Sequence, residues 1–178
     1  MSGLLDELAA GAPLAVRERR TLSAKPGEVF AALSRLRAGA LVQRAGVLGR
    51  GLGALGIADP SGLLYAQLLA GGFVVLAADP LREIVVGRIL ARGRASKPPL
   101  RGRGDFLAST RPGTAKVALA VGVGGGEVTA ELRLRVVGLG RGARVLRPAV
   151  ARGLRAFLDA LESEIAAGAR SRNGARVA

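Results

Sequence analysis

The chain contains no cysteine and no histidine in its 178 residues. This excludes disulfides, thiol nucleophiles, imidazole bases and the usual zinc or haem ligands. The start of the chain also lacks the basic segment and long apolar run of an export signal, and a chain without cysteine fits the reducing cytoplasm. We therefore expect a cytoplasmic protein with no metal, no cofactor and no catalytic residue of these kinds, and more readily a binding protein than an enzyme.

Aromatic and acidic residues are also scarce. One tyrosine and four phenylalanines are too few for a platform that stacks nucleic-acid bases. Basic residues outnumber acidic ones by 27 to 13, and the formal charge of +14 attracts polyanions. The arginines are nevertheless scattered through an Ala-, Gly-, Leu- and Val-rich chain, as GC-rich coding produces. Nucleic acid is disfavoured as a partner, and a basic module for an anionic membrane surface stays an alternative.

The spacing of apolar residues predicts an α+β domain. Alternation with a period of two predicts strands, and steps of three and four predict helices. The predicted elements are, in chain order, a strand over 14–22, a helix over about 26–37, a broken or short helix within the Gly-rich segment 39–58, a short helix over 63–70, strands over 73–76, 83–90 and 105–109, a hairpin of strands over 114–123 and 127–137, and a helix over about 143–168.

The last predicted helix carries an apolar stripe that must lie on another element. Its members are Val150, Leu154, Phe157, Leu158, Leu161 and Ile165. Pro148 either kinks this helix or marks its first turn. The predicted domain spans 14–168, with an N-terminal extension over 1–13 and a basic, flexible tail over 169–178.

Three segments carry a resemblance to a known superfamily: RRTLSAKPGEVFAALSRL, LLAGGFVVLAADPLREIVVGRIL and DFLASTRPGTAKVALAVGV. With the order of the elements, they resemble an uncharacterised bacterial branch of the START-like superfamily, also called SRPBCC or polyketide cyclase/dehydrase-like. The resemblance covers about residues 14–167. It implies the helix-grip fold, in which a curved antiparallel sheet wraps around a long C-terminal helix and leaves a cavity for a lipid, a polyketide or another apolar molecule.

The resemblance implies a cavity wall built from the strands and the last helix. Ordinary core packing is the competing interpretation for each apolar member, and exposure on the convex face of the sheet is the competing interpretation for Arg88. The candidate wall residues are Tyr65, Phe73, Val75, Val86, Arg88, Phe106, Leu119, Leu132, Leu154, Phe157 and Leu158.

Three other functions are weighed against ligand carriage. A cyclase or aromatase would use the same cavity, with Tyr65, Asp105 or Arg88 assisting proton transfer. The pattern GxGxxG at 51–56, followed by Asp79, matches a dinucleotide-binding loop, but the hairpins downstream disfavour the parallel sheet that such a site needs. Residues 60–78 carry no charge over nineteen positions, close to the length of a membrane span, although glycines and Pro60 dilute the segment.

Overall fold

The computed structural model describes residues 4–9, 12–45, 57, 59–79, 81–91, 100–109, 114–124, 126–136 and 145–174. Within these residues, one sheet packs against helices on both of its faces. The elements are, in chain order, α1 (Leu4–Ala9), β1 (Leu14–Thr21), α2 (Pro26–Arg35), α3 (Ala38–Ala45), α4 (Leu64–Ala70), β2 (Val74–Asp79), β3 (Glu83–Ala91), α5 (Arg103–Ala108), β4 (Thr114–Gly124), β5 (Glu127–Val136) and α6 (Arg147–Gly174).

The strands of the sheet lie in the order β1-β5-β4-β3-β2, and every neighbouring pair is antiparallel. The β4–β5 hairpin is the longest pairing, running from Ala115 opposite Val136 to Gly124 opposite Glu127. Gly126 in its turn has φ of +80°, a conformation that glycine adopts without the steric cost of a Cβ. The predicted α+β class, with an antiparallel sheet and a long C-terminal helix, is confirmed.

The larger core lies between the sheet and helices α2, α3, α4 and α6. Helix α2 begins with Pro26, and Glu28 reaches back to accept a hydrogen bond from the Lys25 backbone at 3.0 Å. Helix α6 presents its apolar stripe to the strands, with Leu158 and Leu161 almost fully buried. Burial of such side chains stabilises the fold by about 1.5–3 kcal/mol each, so α6 holds this side of the sheet closed.

A second, smaller core lies on the opposite face of the sheet. Val85 and Val86 follow one another in β3 and therefore point to opposite faces. Val86 belongs to the larger core, whereas Val85 packs in the smaller one with Leu5 of α1 and Phe106 of α5. The predicted N-terminal extension thus contributes a helix that covers the outer face of the sheet.

One predicted element is wrong, and another ends later than predicted. Residues 105–108 form most of helix α5 and not a strand, because the Asp105 carboxylate accepts the Arg101 backbone N–H at 2.9 Å and the helix turn buries Phe106. The predicted flexible tail is helical up to Gly174, the end of α6, and Arg172 there pairs with Glu28 at 2.6 Å.

Other predictions are confirmed only in part, or concern residues outside the described ones. The Gly-rich segment 39–58 begins with α3, while Gly51–Gly56 and the rest of 46–56 lie outside the described residues. All of the described strand pairs are antiparallel, whereas a dinucleotide-binding unit requires parallel strands. The uncharged segment 60–78 is divided between α4 and β2, and none of the described helices has the length and apolar character needed to cross a bilayer.

Candidate functional site

A narrow apolar pocket lies between the sheet and helices α2, α4 and α6. Its volume is about 20 Å³, enough for about one water-sized sphere. The described side chains that line it are Leu33, Leu64, Tyr65, Leu68, Ile84, Val86, Leu119, Val121 and Phe157. A larger guest therefore requires one wall to move.

The sheet forms the floor of the pocket through two cross-strand pairs. Val86 of β3 lies opposite Leu119 of β4, and Ile84 lies opposite Val121. Residues two apart in a strand share a face, and directly paired residues on neighbouring strands share it too. The strand register therefore places these four apolar side chains side by side.

Helix α4 forms the roof of the pocket. Leu64 and Leu68 are one helical turn apart and are both buried, with Tyr65 beside them. The helix has only seven residues, and isolated helices shorter than about 12 residues are marginal in water. Its position therefore depends on the packing of these side chains against the sheet and on the loop that precedes it.

Tyr65 is the described lining residue whose side chain carries a polar atom, although the surface of the pocket itself is almost wholly apolar. Burial raises the pKa of its hydroxyl, which therefore stays a neutral donor and acceptor near neutral pH. No hydrogen bond to this hydroxyl is made within the described part of the chain. A guest with one polar end could form it.

Arg88 lies beside the pocket, on the inner face of the sheet, which packs against helices α2, α3, α4 and α6. Its guanidinium carbon is 5.9 Å from the centroid of the Phe73 ring, within the range of a cation–π contact. Arg88 is two residues from Val86 along β3, so both face the helix side of the sheet. Exposure on the convex face, the competing interpretation for Arg88, is wrong.

The structure brings four of the predicted wall residues into the pocket, namely Tyr65, Val86, Leu119 and Phe157. Three more pack in the same core without lining the pocket: Phe73, Leu154 and Leu158. Leu132 lies in β5 opposite Leu119, and its side chain is outside the described residues. The pocket residues that sequence reasoning missed are Leu33, Leu64, Leu68, Ile84 and Val121. The spacing of Leu68 from Tyr65, of Ile84 from Val86 and of Val121 from Leu119 was an available signal.

Two further apolar residues of the predicted wall lie outside both the pocket and the larger core. Phe106 is almost fully buried in the smaller core on the other face of the sheet, because it belongs to α5. Val75 pairs with Val86 and so faces the helix side. It lies in the edge strand, however, and remains 41% exposed.

The residues of the enzymatic alternative do not converge. Asp105 is exposed in the first turn of α5, and its carboxylate is bonded to the Arg101 backbone. Helix α5 packs on the outer face of the sheet, whereas Tyr65 and Arg88 lie on the inner face. The described pocket wall contains no carboxylate that could exchange a proton with a guest.

A charged cluster on the outer face of the sheet holds α1. Arg133 contacts Glu131 at 2.8 Å and also pairs with Asp6 of α1. Burial favours the neutral form of Arg133, but its hydrogen bonds to Glu131 and Asp6 outweigh this and raise its pKa. At the other end of the helix, the Glu83 carboxylate accepts the Leu4 backbone N–H at 2.8 Å. Arg133 also donates a hydrogen bond to the carbonyl of Ala9, the last residue of α1, at 3.4 Å. Both ends of α1 thus meet a charge that complements the helix dipole.

Among known proteins, the chain is similar to solved structures only. No family model and no curated protein matches the chain. Protein MLL2253 from Mesorhizobium loti matches with a TM-score of 0.41 and 17% identity, over 85% of this chain and 96% of that one. TTHA0849 from Thermus thermophilus matches with a TM-score of 0.38 and 12% identity, over 87% and 99%. A DUF4468 family protein from Bacteroides ovatus matches with a TM-score of 0.39 and 8% identity, over 90% and 94%.

Proposed function

We propose that this protein is a cytoplasmic, START-like helix-grip protein that binds an apolar small molecule, such as a lipid or a polyketide, without catalysing a reaction. The observation that carries the proposal is the pocket under α4. Apolar side chains from α2, α4, β3, β4 and α6 line it, and Tyr65 is the described lining residue whose side chain also carries a polar atom. Binding sites for apolar ligands combine such a wall with a few polar groups that orient the guest.

Binding requires the pocket to widen from about 20 Å³. Helix α4 is the wall best suited to move, because it is short and is followed by Gly71-Gly72, where Gly72 has φ of +90°. Displacement of α4 would uncover Val86 and Leu119, and the guest would replace the contacts that Leu64 and Leu68 lose. The protein would then exchange part of its own core for the ligand.

Native mass spectrometry of freshly purified protein tests this proposal. We expect a co-purifying apolar molecule that organic extraction removes and that a fluorescent fatty acid can replace. Val121→Phe should abolish both signals by filling the pocket. Val117→Phe is the matched control, because Val117 lies in the same strand and core and is as buried as Val121, at 4% exposure each, but does not line the pocket.

The comparison of the two variants decides the outcome. Circular dichroism and thermal unfolding must first show that both are folded. Loss of ligand in Val121→Phe alone supports the pocket. A wild-type protein that neither carries nor binds an apolar molecule, or equal binding by the two folded variants, would contradict it.

A further inference from the structure

Helix α4 is apolar on its outer side as well as on the side that roofs the pocket. Leu63, which precedes the helix, is 42% exposed and Leu69 is 37% exposed. Ala66 and Ala70 are exposed between and beside them. A surface helix normally turns polar residues outward, so an outer face made of leucine and alanine requires an explanation.

The amide of Gln67 in α4 does not make this outer face polar. Gln67 donates a hydrogen bond from Nε2 to the Asp59 carbonyl at 2.5 Å, and its Oε1 accepts the Asp59 backbone N–H at 2.9 Å. Both ends of the amide are thus engaged with the preceding loop. Leu63, Ala66, Leu69 and Ala70 together form what we call the α4 surface.

The β2 edge of the sheet carries another exposed apolar side chain on the helix side. Val75 of β2 faces the helix side and is 41% exposed. Residues 60–78, which contain α4 and most of β2, include no charged side chain. Exposed apolar side chains grouped on one helix face, as on α4, mark an interaction site.

Charge decides which occupant fits this surface. A second copy of the chain would bring another formal charge of +14, which opposes association, whereas an anionic surface attracts it. Two carboxylates flank the uncharged segment. Asp79 pairs with Arg82 at 3.7 Å, and Asp59, which keeps its charge when it accepts the Ser61 hydrogen bond, is opposed by the positive charge of Arg37. The exposed Arg37 lies at the same loop, where it donates a hydrogen bond to the Ser61 carbonyl.

We propose that the α4 surface docks on an anionic lipid membrane, with Leu63 and Leu69 inserted at the boundary between headgroups and acyl chains. Apolar side chains then enter the bilayer while arginines meet the acidic headgroups, the combination by which proteins bind membrane interfaces. The outer face of α4 takes this role whether or not the pocket beneath it holds a guest.

Vesicle co-sedimentation of the full chain tests the docking. We expect binding to vesicles of phosphatidylcholine with about one third phosphatidylglycerol, weaker binding to pure phosphatidylcholine, and a decrease with salt. Leu63→Gln and Leu69→Gln should each lower the partition coefficient several-fold, and the double variant roughly tenfold or more. These substitutions leave the net charge unchanged.

Leu107→Gln is the matched control for these variants. Leu107 is as exposed as Leu63, at 42%, but belongs to α5 on the opposite face of the sheet. Vesicle binding should persist in Leu107→Gln and in the pocket-filling variant Val121→Phe, so the docking and the pocket are tested separately. An equal loss in Leu107→Gln and Leu69→Gln would overturn the proposal. So would the absence of wild-type binding, or a wild-type dimer that Leu69→Gln dissociates in sedimentation velocity.

Discussion

The guanidinium of Arg133 lies 2.8 Å from the carboxylate of Glu131 in the same strand, and the two side chains are only 11% and 8% exposed. Ions so well removed from water keep their charges only when each is matched by a partner. Arg17 on the neighbouring strand is the second partner of Glu131, at 2.5 Å. Asp6 of α1 is the second partner of Arg133. The cluster thus joins strands β1 and β5 to each other and to helix α1.

Removal of Arg133 should therefore destabilise the protein and release α1. Arg133→Met leaves Glu131 with one partner in place of two, and we expect a loss of about 3 kcal/mol in the free energy of unfolding, measured with urea. Amide exchange at Leu5 and Leu8 should accelerate in the same variant. Arg155→Met is the control, because Arg155 is 62% exposed where it pairs with Glu18, and it should cost less than about 1 kcal/mol. Equal effects would contradict the role of the buried cluster.

Asp59 should contribute to stability only above its titration range. The hydrogen bond from the Ser61 hydroxyl and then that from the Ser61 backbone lower the pKa of its carboxyl below the usual 3.8. A depressed folded-state pKa means that the contribution is present above pH 3.8 and is lost as pH falls through the lower folded value.

The measurement for Asp59 is a pair of urea unfolding series, for wild type and Asp59→Asn, between about pH 6 and about pH 2.5. The wild type should be the more stable protein at the upper end, and the difference should shrink toward the lower end. A difference that stays constant with pH would show that the carboxylate charge is not its source.

Gly87 should not tolerate a side chain. A Cβ at this position in β3 would collide with the Leu76 side chain and lie 3.0 Å from Cε2 of Phe106. Gly87→Ala should therefore lower the free energy of unfolding by about 1–3 kcal/mol, as overpacking of a core does. In β4, a Cβ at Gly122 would meet only the Arg82 carbonyl oxygen, at 3.7 Å. Gly122→Ala should accordingly be neutral or slightly stabilising in the same urea unfolding assay. Equal losses would contradict this packing.

Substitutions at Phe106 and at Tyr65 should affect different properties, the first stability and the second ligand binding. Phe106 is 1% exposed in the smaller core, and Phe106→Ala should cost about 3–5 kcal/mol while the folded fraction keeps its affinity for the fluorescent fatty acid. Tyr65→Phe removes only the hydroxyl at the pocket wall and should weaken binding of the fatty acid with little change in stability. Weaker affinity in folded Phe106→Ala would place the binding site on the outer face of the sheet.

Local patterns were sufficient to predict most of the sheet. The alternation of Val128 and Ala130 with Thr129 and Glu131 identifies β5, and the glycines before it identify the turn. Helix α5 was missed because six residues are too few for a helical period to appear, and Phe106 alone reads equally well as a strand residue. Strong periodicity over a long segment therefore predicts well, and short elements held by packing do not.

The candidate site was less predictable than the sheet. Spacing along β3 and β4 indicates that Val86 and Leu119 share a buried face, but it cannot show whether the space above them is filled. The outer layer was equally hidden, because α1 is held by Glu83 and Arg133, 79 and 127 residues away from their partners Leu4 and Asp6. Contacts over such separations depend on the whole topology.

The place of β1 in the sheet also governs how the chain can be built during synthesis. The first strand pairs with β5, from Leu14 opposite Leu134 to Thr21 opposite Glu127. The pairing of β1 with β5 can therefore form only after more than a hundred further residues have left the ribosome. The ion pair between Asp6 and Arg133 forms equally late. Such late closure between distant segments slows folding and leaves the early strand exposed meanwhile. The strand carries the charged side chains of Arg17, Glu18 and Arg20, and charged side chains disfavour the pairing of an exposed strand with another chain.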